Sequence, residues 1–127
     1  VTTPEFSALR DADRVVGFLE ANLFTYIKLI LNRIRQSMLK NNDMMSVEDV
    51  LDILSVKLIG VIPDDEQVIV STNKGEPLVL SDKASLAGTA YMNVAKRLEG
   101  NEVEFLQLES PPKGIFARLS SWISGNY

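Results

Sequence analysis

Apolar residues that recur every three or four positions between Phe6 and Leu19 predict the first helix of the chain. We expect this helix to end near Asn22. Pro4 suits the first turn of a helix, because its ring fixes a helical φ and it has no N–H to leave unpaired, so Thr3 is the expected N-cap. The short β-branched stretch 1–3 is typical of the end of a strand.

Two near-continuous apolar runs, 24–32 and 57–62, have the length of strands, and one Lys interrupts the first. Runs without polar alternation are typical of strands covered on both faces, as in a parallel sheet. Between them we expect a polar segment, 34–45, with a loop at Asn42, an amino acid that tolerates a left-handed backbone. A helix should start at Ser46, because the acidic residues that follow it make a near capping box.

The second half of the chain predicts two more helices. Three carboxylates at 64–66 favour a helix start, where the helix dipole is positive, and this helix should end near Thr72. Ser81 is the expected N-cap of a longer helix that stops at Gly100. Strands that alternate with helices indicate βαβ units, so the predicted fold class is α/β with a mostly parallel, three-layer sheet.

Composition narrows the classes of function. The 127 residues fit one domain, and 46% hydrophobic and 24% charged residues are ordinary for a folded protein. The absence of Cys and His excludes disulfides, Cys- or His-ligated zinc and Ser-His-Asp chemistry. A net charge of −4 argues against a nucleic-acid partner, and no apolar run is long enough to span a membrane. The sequence opens at Val1 without a leader, so we expect a fragment or a processed product.

The end of the chain has the sharpest local pattern. An acidic linker is predicted over 101–112, followed by an amphipathic segment, 113–127. One helical face of that segment would gather Ile115, Phe116, Leu119, Trp122 and Ile123, with the cations Lys113 and Arg118 at its borders. A Trp-bearing face with bordering cations suits a membrane interface. The alternative is a helix that docks back on the core of the domain.

Candidate chemistry lies at the ends of the two predicted strands, because open parallel sheets bind ligands outside the carboxyl ends of their strands. Asn32 and Arg33 end the first strand, and Ile62, Pro63 and Asp64 end the next. An amide both donates and accepts hydrogen bonds, which reading a purine edge requires, and a proline ring is a flat apolar wall. The alternative is structural, with Asn32 capping a loop and Asp64 starting a helix.

The remaining charged clusters are less specific. The polar side of the first helix contains Asp11, Arg14 and Glu20. This pattern, with pairs at i,i+3 spacing, is typical of a solvated helix face. The carboxylates at 48–49 and 64–66 are explained more simply by helix-start stabilisation than by metal binding. No metal site and no catalytic residue are predicted, and the glycine-rich loops that cradle phosphates are missing from the sequence.

Four ordered segments resemble the MinD family of septum-site-determining ATPases, which belongs to the deviant-Walker (ParA/MinD) group. They are VTTPEFSALRDADRVVG at 1–17, DMMSVEDVLDIL at 43–54, KLIGVIPDDEQVIVSTNKGEP at 57–77 and KGIFARL at 113–119. Their order and spacing are similar to the C-terminal half of cyanobacterial and plastid members. The resemblance implies a P-loop-NTPase-like α/β fold, with residues 1–100 as the C-terminal part of the ATPase domain.

The resemblance also implies a function and its sites. It implies ATP-dependent homodimerisation on a membrane, recruitment of a MinC-like division inhibitor, and release by a MinE-like activator. The implied site for the nucleotide base is Asn32, Arg33, Ile62, Pro63 and Asp64. The implied partner-binding surface is Glu5, Ser7, Asp11, Asp13 and Val16. The implied peripheral membrane segment is Lys113, Ile115, Phe116, Arg118, Leu119, Trp122 and Ile123.

The same resemblance places the P-loop, and with it catalysis, in the half that this sequence does not contain. ATP and Mg²⁺ are therefore expected for the whole protein and not for this chain alone. Ser120 and Ser121 stand where the family usually has basic or apolar residues, which lowers the expected affinity for lipid. Trp122 partly compensates for this loss. Plastid stroma at the inner envelope and cyanobacterial cytoplasm are both compatible locations. The alternatives are a non-catalytic, membrane-associated interaction module that binds partners through 5–16, and a chromosome-partitioning relative.

Overall fold

Three extended segments run parallel and side by side in the computed structural model, which describes residues 1–81 and 84–108. Strand β1 spans Lys28–Ile34 and pairs in parallel with β2, which spans Lys57–Pro63. Thr2 makes an isolated parallel bridge to Leu31 of β1, so the first residues lie alongside β1, as their β-branched pattern predicts. The predicted parallel α/β sheet is therefore confirmed over these residues.

The helices cover both faces of this sheet. Those within the described ranges are α1 (Phe6–Ala21), α2 (Gln36–Lys40), α3 (Val47–Leu54), α4 (Glu66–Lys74) and α5 (Leu86–Leu98), with a 3₁₀ turn at Leu78–Leu80. Leu9 of α1 and Val50 of α3 share one buried cluster with Leu29 and Leu31 of β1. Ala87, Ala90 and Val94 of α5 form a second cluster with Ile62. The two clusters lie on opposite faces of the sheet, so the structure has the predicted three layers.

One of the three predicted N-caps is confirmed and two are wrong. Ser46 caps α3 through a reciprocal capping box with Asp49, with both hydrogen bonds 3.1 Å long. The N-cap of α1 is Glu5 rather than Thr3, because Thr2 is still bridged to β1 and the chain needs further residues to leave the sheet.

The N-cap of α5 is Ser85 rather than Ser81. The Ser85 hydroxyl accepts from the N–H of Gly88 at 2.9 Å. Helix α5 therefore starts only just before Ala87, its first buried residue.

The strand predicted over 24–32 has different bounds in the structure. Helix α1 ends in a Schellman motif in which Leu23 has a φ of 65° and the N–H of Phe24 donates to the carbonyl of Leu19 at 3.0 Å. The apolar residues that follow form an exposed connection, in which Tyr26 is 94% exposed. The strand therefore begins at Lys28, and α2 occupies part of the predicted polar segment. Asn42 has the expected left-handed backbone, with a φ of 56°.

Beyond α5 the chain returns to the sheet. Arg97 of α5 donates to the carbonyls of Ile59, Val103 and Glu104 at 2.9–3.0 Å, and its guanidinium lies 3.9 Å from the centre of the Phe105 ring. Leu108 is buried in the cluster that contains Leu9. Residues 101–108 thus pack against the body, while the predicted linker boundaries remain a prediction.

The amphipathic segment 113–127 and the end of the predicted linker lie outside the described residues. Within the parts of the chain that the structure describes, no helix has both the length and the apolar character needed to cross a bilayer.

Candidate functional site

A β-bulge lies at the end of β1, where sequence reasoning placed a ligand site. Leu31 pairs with Val61 but Ile34 pairs with Pro63, so β1 contains one residue more than β2 over this interval. Arg33 takes up the extra residue with a left-handed φ of 60°. The bulge returns Ile34 to the buried cluster that also contains Leu31.

Asn32 is the half-buried polar residue inside this bulge. Its backbone N–H donates to the carbonyl of Thr2 at 2.8 Å. Its side-chain Oδ1 accepts from the backbone N–H of Arg33 at 2.9 Å. A carboxamide oxygen has two lone pairs and the amide nitrogen carries two hydrogens, so the side chain retains one acceptor position and both donors for a ligand.

Asp64 joins the ends of the two strands. Its backbone N–H donates to the carbonyl of Ile34 at 2.9 Å. Its carboxylate accepts from Nε of Arg35 at 2.7 Å and lies 3.6 Å from Nε of Arg33. Both arginine side chains are about half exposed, and exposed ion pairs contribute only about 0–1 kcal/mol to stability. The contacts of Asp64 therefore matter more for the geometry of the strand ends than for the free energy of unfolding.

A cleft of about 550 Å³ opens beside these strand ends, and Pro63, Asp64 and Arg35 line it. The rest of its lining is Ile34, Gln36, Ser37, Asp65, Glu66, Gln67 and Leu86. Asn32 and Arg33 lie outside this lining and directly precede it in sequence. Ile62 is 1% exposed and its side chain packs in the α5 cluster, behind the cleft.

Asp65 links two helix starts at the same cleft. Its carboxylate accepts from the N–H of Gln67 at 2.9 Å, from the hydroxyl of Ser85 at 2.9 Å and from the N–H of Ala87 at 3.3 Å. The hydrogen bond from Gln67, with support from Ser85 and Ala87, lowers the pKa of Asp65 below its usual value, although burial opposes the shift.

The sequence did not predict that Arg35 contacts Asp64, or that Asp65 contacts the start of α5. The partners Arg35 and Asp64 are 29 positions apart, and Asp65 and Ser85 are 20 apart. No local spacing signals such pairs. The start of a helix within 64–66 was predicted, because carboxylates at a helix start act within its first turn, but the N-cap is Asp65 rather than Asp64.

The residues predicted to bind partners lie together on α1. Glu5 is its N-cap, Ser7, Asp11 and Asp13 are exposed, and Val16 is half-buried. Asp11 lies 3.7 Å from Arg14, which is the i,i+3 pair expected of a solvated helix face. A cavity of about 960 Å³, lined by Phe6, Met38, Met44 and Met45 among others, separates the start of α1 from the segment before α3.

The residues predicted to bind a membrane, all of them in 113–127, lie outside the described residues. Within 1–81 and 84–108, no three acidic side chains come close enough together to hold a metal ion. The groups that the strand ends do offer are an amide, a proline ring and a carboxylate held by arginine. These groups fit a planar heterocycle with hydrogen-bonding edges better than they fit a phosphate or a metal ion.

Septum site-determining proteins match this chain over almost its whole length. A MinD septum site-determining protein of Guillardia theta is 58% identical over 126 residues, which cover 99% of this chain and 47% of the relative. The septum site-determining protein MinD of Synechocystis sp. is 51% identical over 125 residues, or 98% of this chain and 47% of the relative. The chain thus spans about half the length of these relatives. No family model matches it.

Solved structures give the same result. The MinD cell division protein of Aquifex aeolicus has a TM-score of 0.79 and 43% identity, over 83% of this chain and 44% of that chain. A MinC:MinD cell division protein complex from the same organism has a TM-score of 0.77 and 44% identity, over 81% and 42%. The Pyrococcus horikoshii MinD complexed with Mg-ADP has a TM-score of 0.68 and 28% identity, over 78% and 39%. This chain belongs to the MinD family of septum-site-determining proteins.

Proposed function

We propose that this chain supplies the base-recognition edge of a MinD-type ATPase that positions the division septum in a plastid or a cyanobacterium. The observation that carries the proposal is the position of Asn32, Pro63 and Asp64 at the ends of two paired strands, in a chain that is 58% identical to a MinD protein. The Mg-ADP complex of a relative supports a purine nucleotide as the ligand.

Each residue of this edge has a distinct task. The carboxamide of Asn32 reads the hydrogen-bonding edge of the base, because an amide can donate to adenine N7 and accept from the 6-amino group. Pro63 presents an apolar ring against the face of the base. Asp64, held by Arg35 at 2.7 Å, keeps the end of β2 against the end of β1. Ile62 contributes the buried support behind this edge.

The part of the relatives that this chain does not match binds the triphosphate and Mg²⁺, because the sequence of this chain has no phosphate-cradling loop. Mg-ATP would supply the phosphoanhydride bond whose hydrolysis drives the cycle. The residues of this chain bind and orient the base, and none of them is assigned a catalytic role.

The remaining surfaces complete the proposed cycle. The exposed face of α1, with Glu5, Asp11 and Asp13, binds a MinC-like inhibitor and a MinE-like activator, and a MinC:MinD complex among the structural neighbours supports the first partner. Homodimerisation follows ATP binding. The segment 113–127 holds the dimer peripherally on a membrane, and release follows activator-stimulated hydrolysis.

Asn32→Ala tests the base site in the full-length protein that carries this chain. We expect ATP affinity to fall by roughly tenfold or more, because a bidentate contact between an amide and adenine contributes about 1–3 kcal/mol. Vesicle association at saturating ATP should be unchanged. ATP affinity is measured by competition against a fluorescent ATP derivative, with Asn73→Ala, in an exposed amide of α4, as the control. Equal losses of ATP affinity and of vesicle association would contradict the role assigned to Asn32.

A further inference from the structure

The connection between α1 and β1 exposes three large apolar side chains close together. Leu23, Phe24 and Tyr26 are 87%, 59% and 94% exposed. The backbone N–H of Leu23 donates to the carbonyl of Glu20 at 3.0 Å, within the turn that closes α1, so these side chains start from a fixed backbone. Neighbouring exposed apolar side chains are typical of interaction surfaces, whereas isolated ones are ordinary.

Leu23 occupies the position after the helix end where glycine is usual. Its φ of 65° is left-handed, a conformation that is unfavourable for a residue with a Cβ. Its side chain gains little burial in the described part of the chain to offset this cost. Backbone strain of this kind concentrates at functional sites. A contact outside the chain therefore explains the leucine better than the fold does.

Two lysines lie at the same end of the sheet. Lys28 and Lys57 are paired neighbours at the starts of β1 and β2, and both are exposed. Like charges on adjacent strands repel each other. Glu20 and Glu102 line the cavities on either side of Lys57, but neither lysine forms an ion pair with a carboxylate within 1–81 and 84–108. An anionic surface would relieve this repulsion.

The apolar side chains and the lysines border the same cavities. Leu23, Phe24 and Lys57 line a cavity of about 470 Å³. Lys57 also lines a cavity of about 730 Å³, together with Lys28 and with the connection 100–105 that follows α5. The part of the chain that leads toward 113–127 therefore passes the same end of the sheet. We call residues 23–28 and Lys57 the strand-start surface.

We propose that the strand-start surface is a second lipid-contacting site, which enters the interface of an anionic bilayer beside the segment 113–127. This inference rests on the membrane association of the proposed function and adds a contact within the folded body. Leucine and aromatic side chains partition into the boundary between head groups and acyl chains. Lysines next to them reach the anionic head groups, where each contributes attraction.

Lipid fits the strand-start surface better than a protein occupant does. Segment 113–127 has two cations and no acidic side chain, so its docking here would add to the repulsion between the lysines. Lys113 is five positions after Leu108, a span of at most about 18 Å, so the segment starts close enough to the body for both to contact one bilayer. A second copy of this chain would bury the same side chains without lipid, which self-association in solution would reveal.

Leu23→Asn and Tyr26→Gln test the apolar part of this surface in the full-length protein that carries this chain, with ATP present. Each should lower the affinity for mixed phosphatidylglycerol and phosphatidylcholine vesicles by about fourfold or more, since a single CH₂ group withdrawn from lipid has this effect. Leu23→Asn should leave the midpoint of urea unfolding unchanged or raised, because asparagine adopts the left-handed backbone more readily. A purely structural role would instead lower that midpoint. Ile69→Gln, at a 63% exposed position of α4, is the control and should leave vesicle affinity unchanged.

Lys28→Gln tests the charge separately from the apolar contact. It should lower the affinity for the anionic vesicles by about fivefold and leave the affinity for pure phosphatidylcholine vesicles unchanged. It should also raise the midpoint of urea unfolding, because it removes the repulsion from Lys57. Lys40→Gln, at an exposed lysine of α2 beyond the carboxyl end of β1, is the matched control and should change neither vesicle affinity.

The remaining outcomes distinguish this inference from the proposed function. Unchanged vesicle affinity in both Leu23→Asn and Tyr26→Gln would overturn the inference. Loss of self-association in solution in these variants, measured by light scattering without vesicles, would also overturn it, since a second copy would then be the occupant. Failure of the unsubstituted full-length protein to bind anionic vesicles would instead overturn the membrane association of the proposed function. Loss of binding in Trp122→Glu with none in the loop variants would support the proposed function and overturn the inference.

Discussion

Asp65 is the residue that joins the two helix starts beside the cleft. One oxygen caps its own helix, α4, and the other accepts from Ser85 and Ala87 at the start of α5. Hydrogen bonds to the ionised form lower the pKa of Asp65 from its usual value near 3.8. A carboxylate whose pKa is lower in the folded chain contributes stability above its unfolded-state pKa, and that stability is lost as the pH falls through the folded-state pKa.

Asp65→Ala should therefore destabilise the chain by about 1–2 kcal/mol at pH 7, as the loss of an N-cap does. The difference in unfolding free energy between the variant and the unsubstituted chain should shrink below about pH 4, because protonation of Asp65 weakens the same contacts in the unsubstituted chain. Urea unfolding at pH 7 and at pH 3.5 measures both values. Asp52→Ala, in an exposed carboxylate of α3, is the control and should change stability by less than about 0.5 kcal/mol. A difference that stays constant with pH would contradict the role of the ionised carboxylate.

At the scale of elements, the close approach of β2 and α5 depends on Gly60. A Cβ at this position would collide with Cγ2 of Val94, where α5 packs against the sheet. Gly60→Ala should cost about 1–3 kcal/mol of unfolding free energy, since neither backbone can move away without disturbing the cluster around Ile62. The midpoint of urea unfolding measures the change.

Gly17→Ala is the matched control for Gly60→Ala. Gly17 lies in α1 with no atom near the position of the added Cβ. This substitution should stabilise the chain by up to about 1 kcal/mol, because alanine is the better helix former. Stabilisation by both substitutions would show that β2 and α5 are not packed as closely as the structure has them.

The elements also show what the sequence could and could not predict. Hydrophobic periodicity located the longer helices, because burial of one face leaves a regular pattern, and near-continuous apolar runs located β1 and β2. It misplaced the ends of β1, because Phe24 and Tyr26 are apolar but exposed, while Ile34 is buried only through a bulge that shifts the alternation. The capping box at Ser46 was predictable because its two partners are three residues apart.

At the scale of the whole molecule, the candidate base site and the α1 surface are neighbours. Arg35 lines the cleft beside Asp64 and also the larger cavity below the start of α1, where Glu5 and Phe6 lie. The sequence predicted that Asn32 and Asp64 would lie at the same edge of the sheet, because parallel strands end at one edge. It could not predict Arg35 between the two cavities, since that position depends on α2 and on the bulge before it.

The membrane proposal also belongs to this scale, and it depends on residues 113–127 as a sequence pattern. Lys113 and Arg118 contribute at most about 2 kcal/mol of attraction to anionic lipid, so the apolar face must provide the rest. Trp122→Glu should therefore abolish co-sedimentation of the full-length protein with anionic vesicles in the presence of ATP. Ser124→Glu adds the same charge on the polar side and should weaken binding only modestly. Unchanged co-sedimentation of the Trp122→Glu variant would contradict the proposal, and equal losses in both variants would show that charge, rather than the apolar face, controls binding.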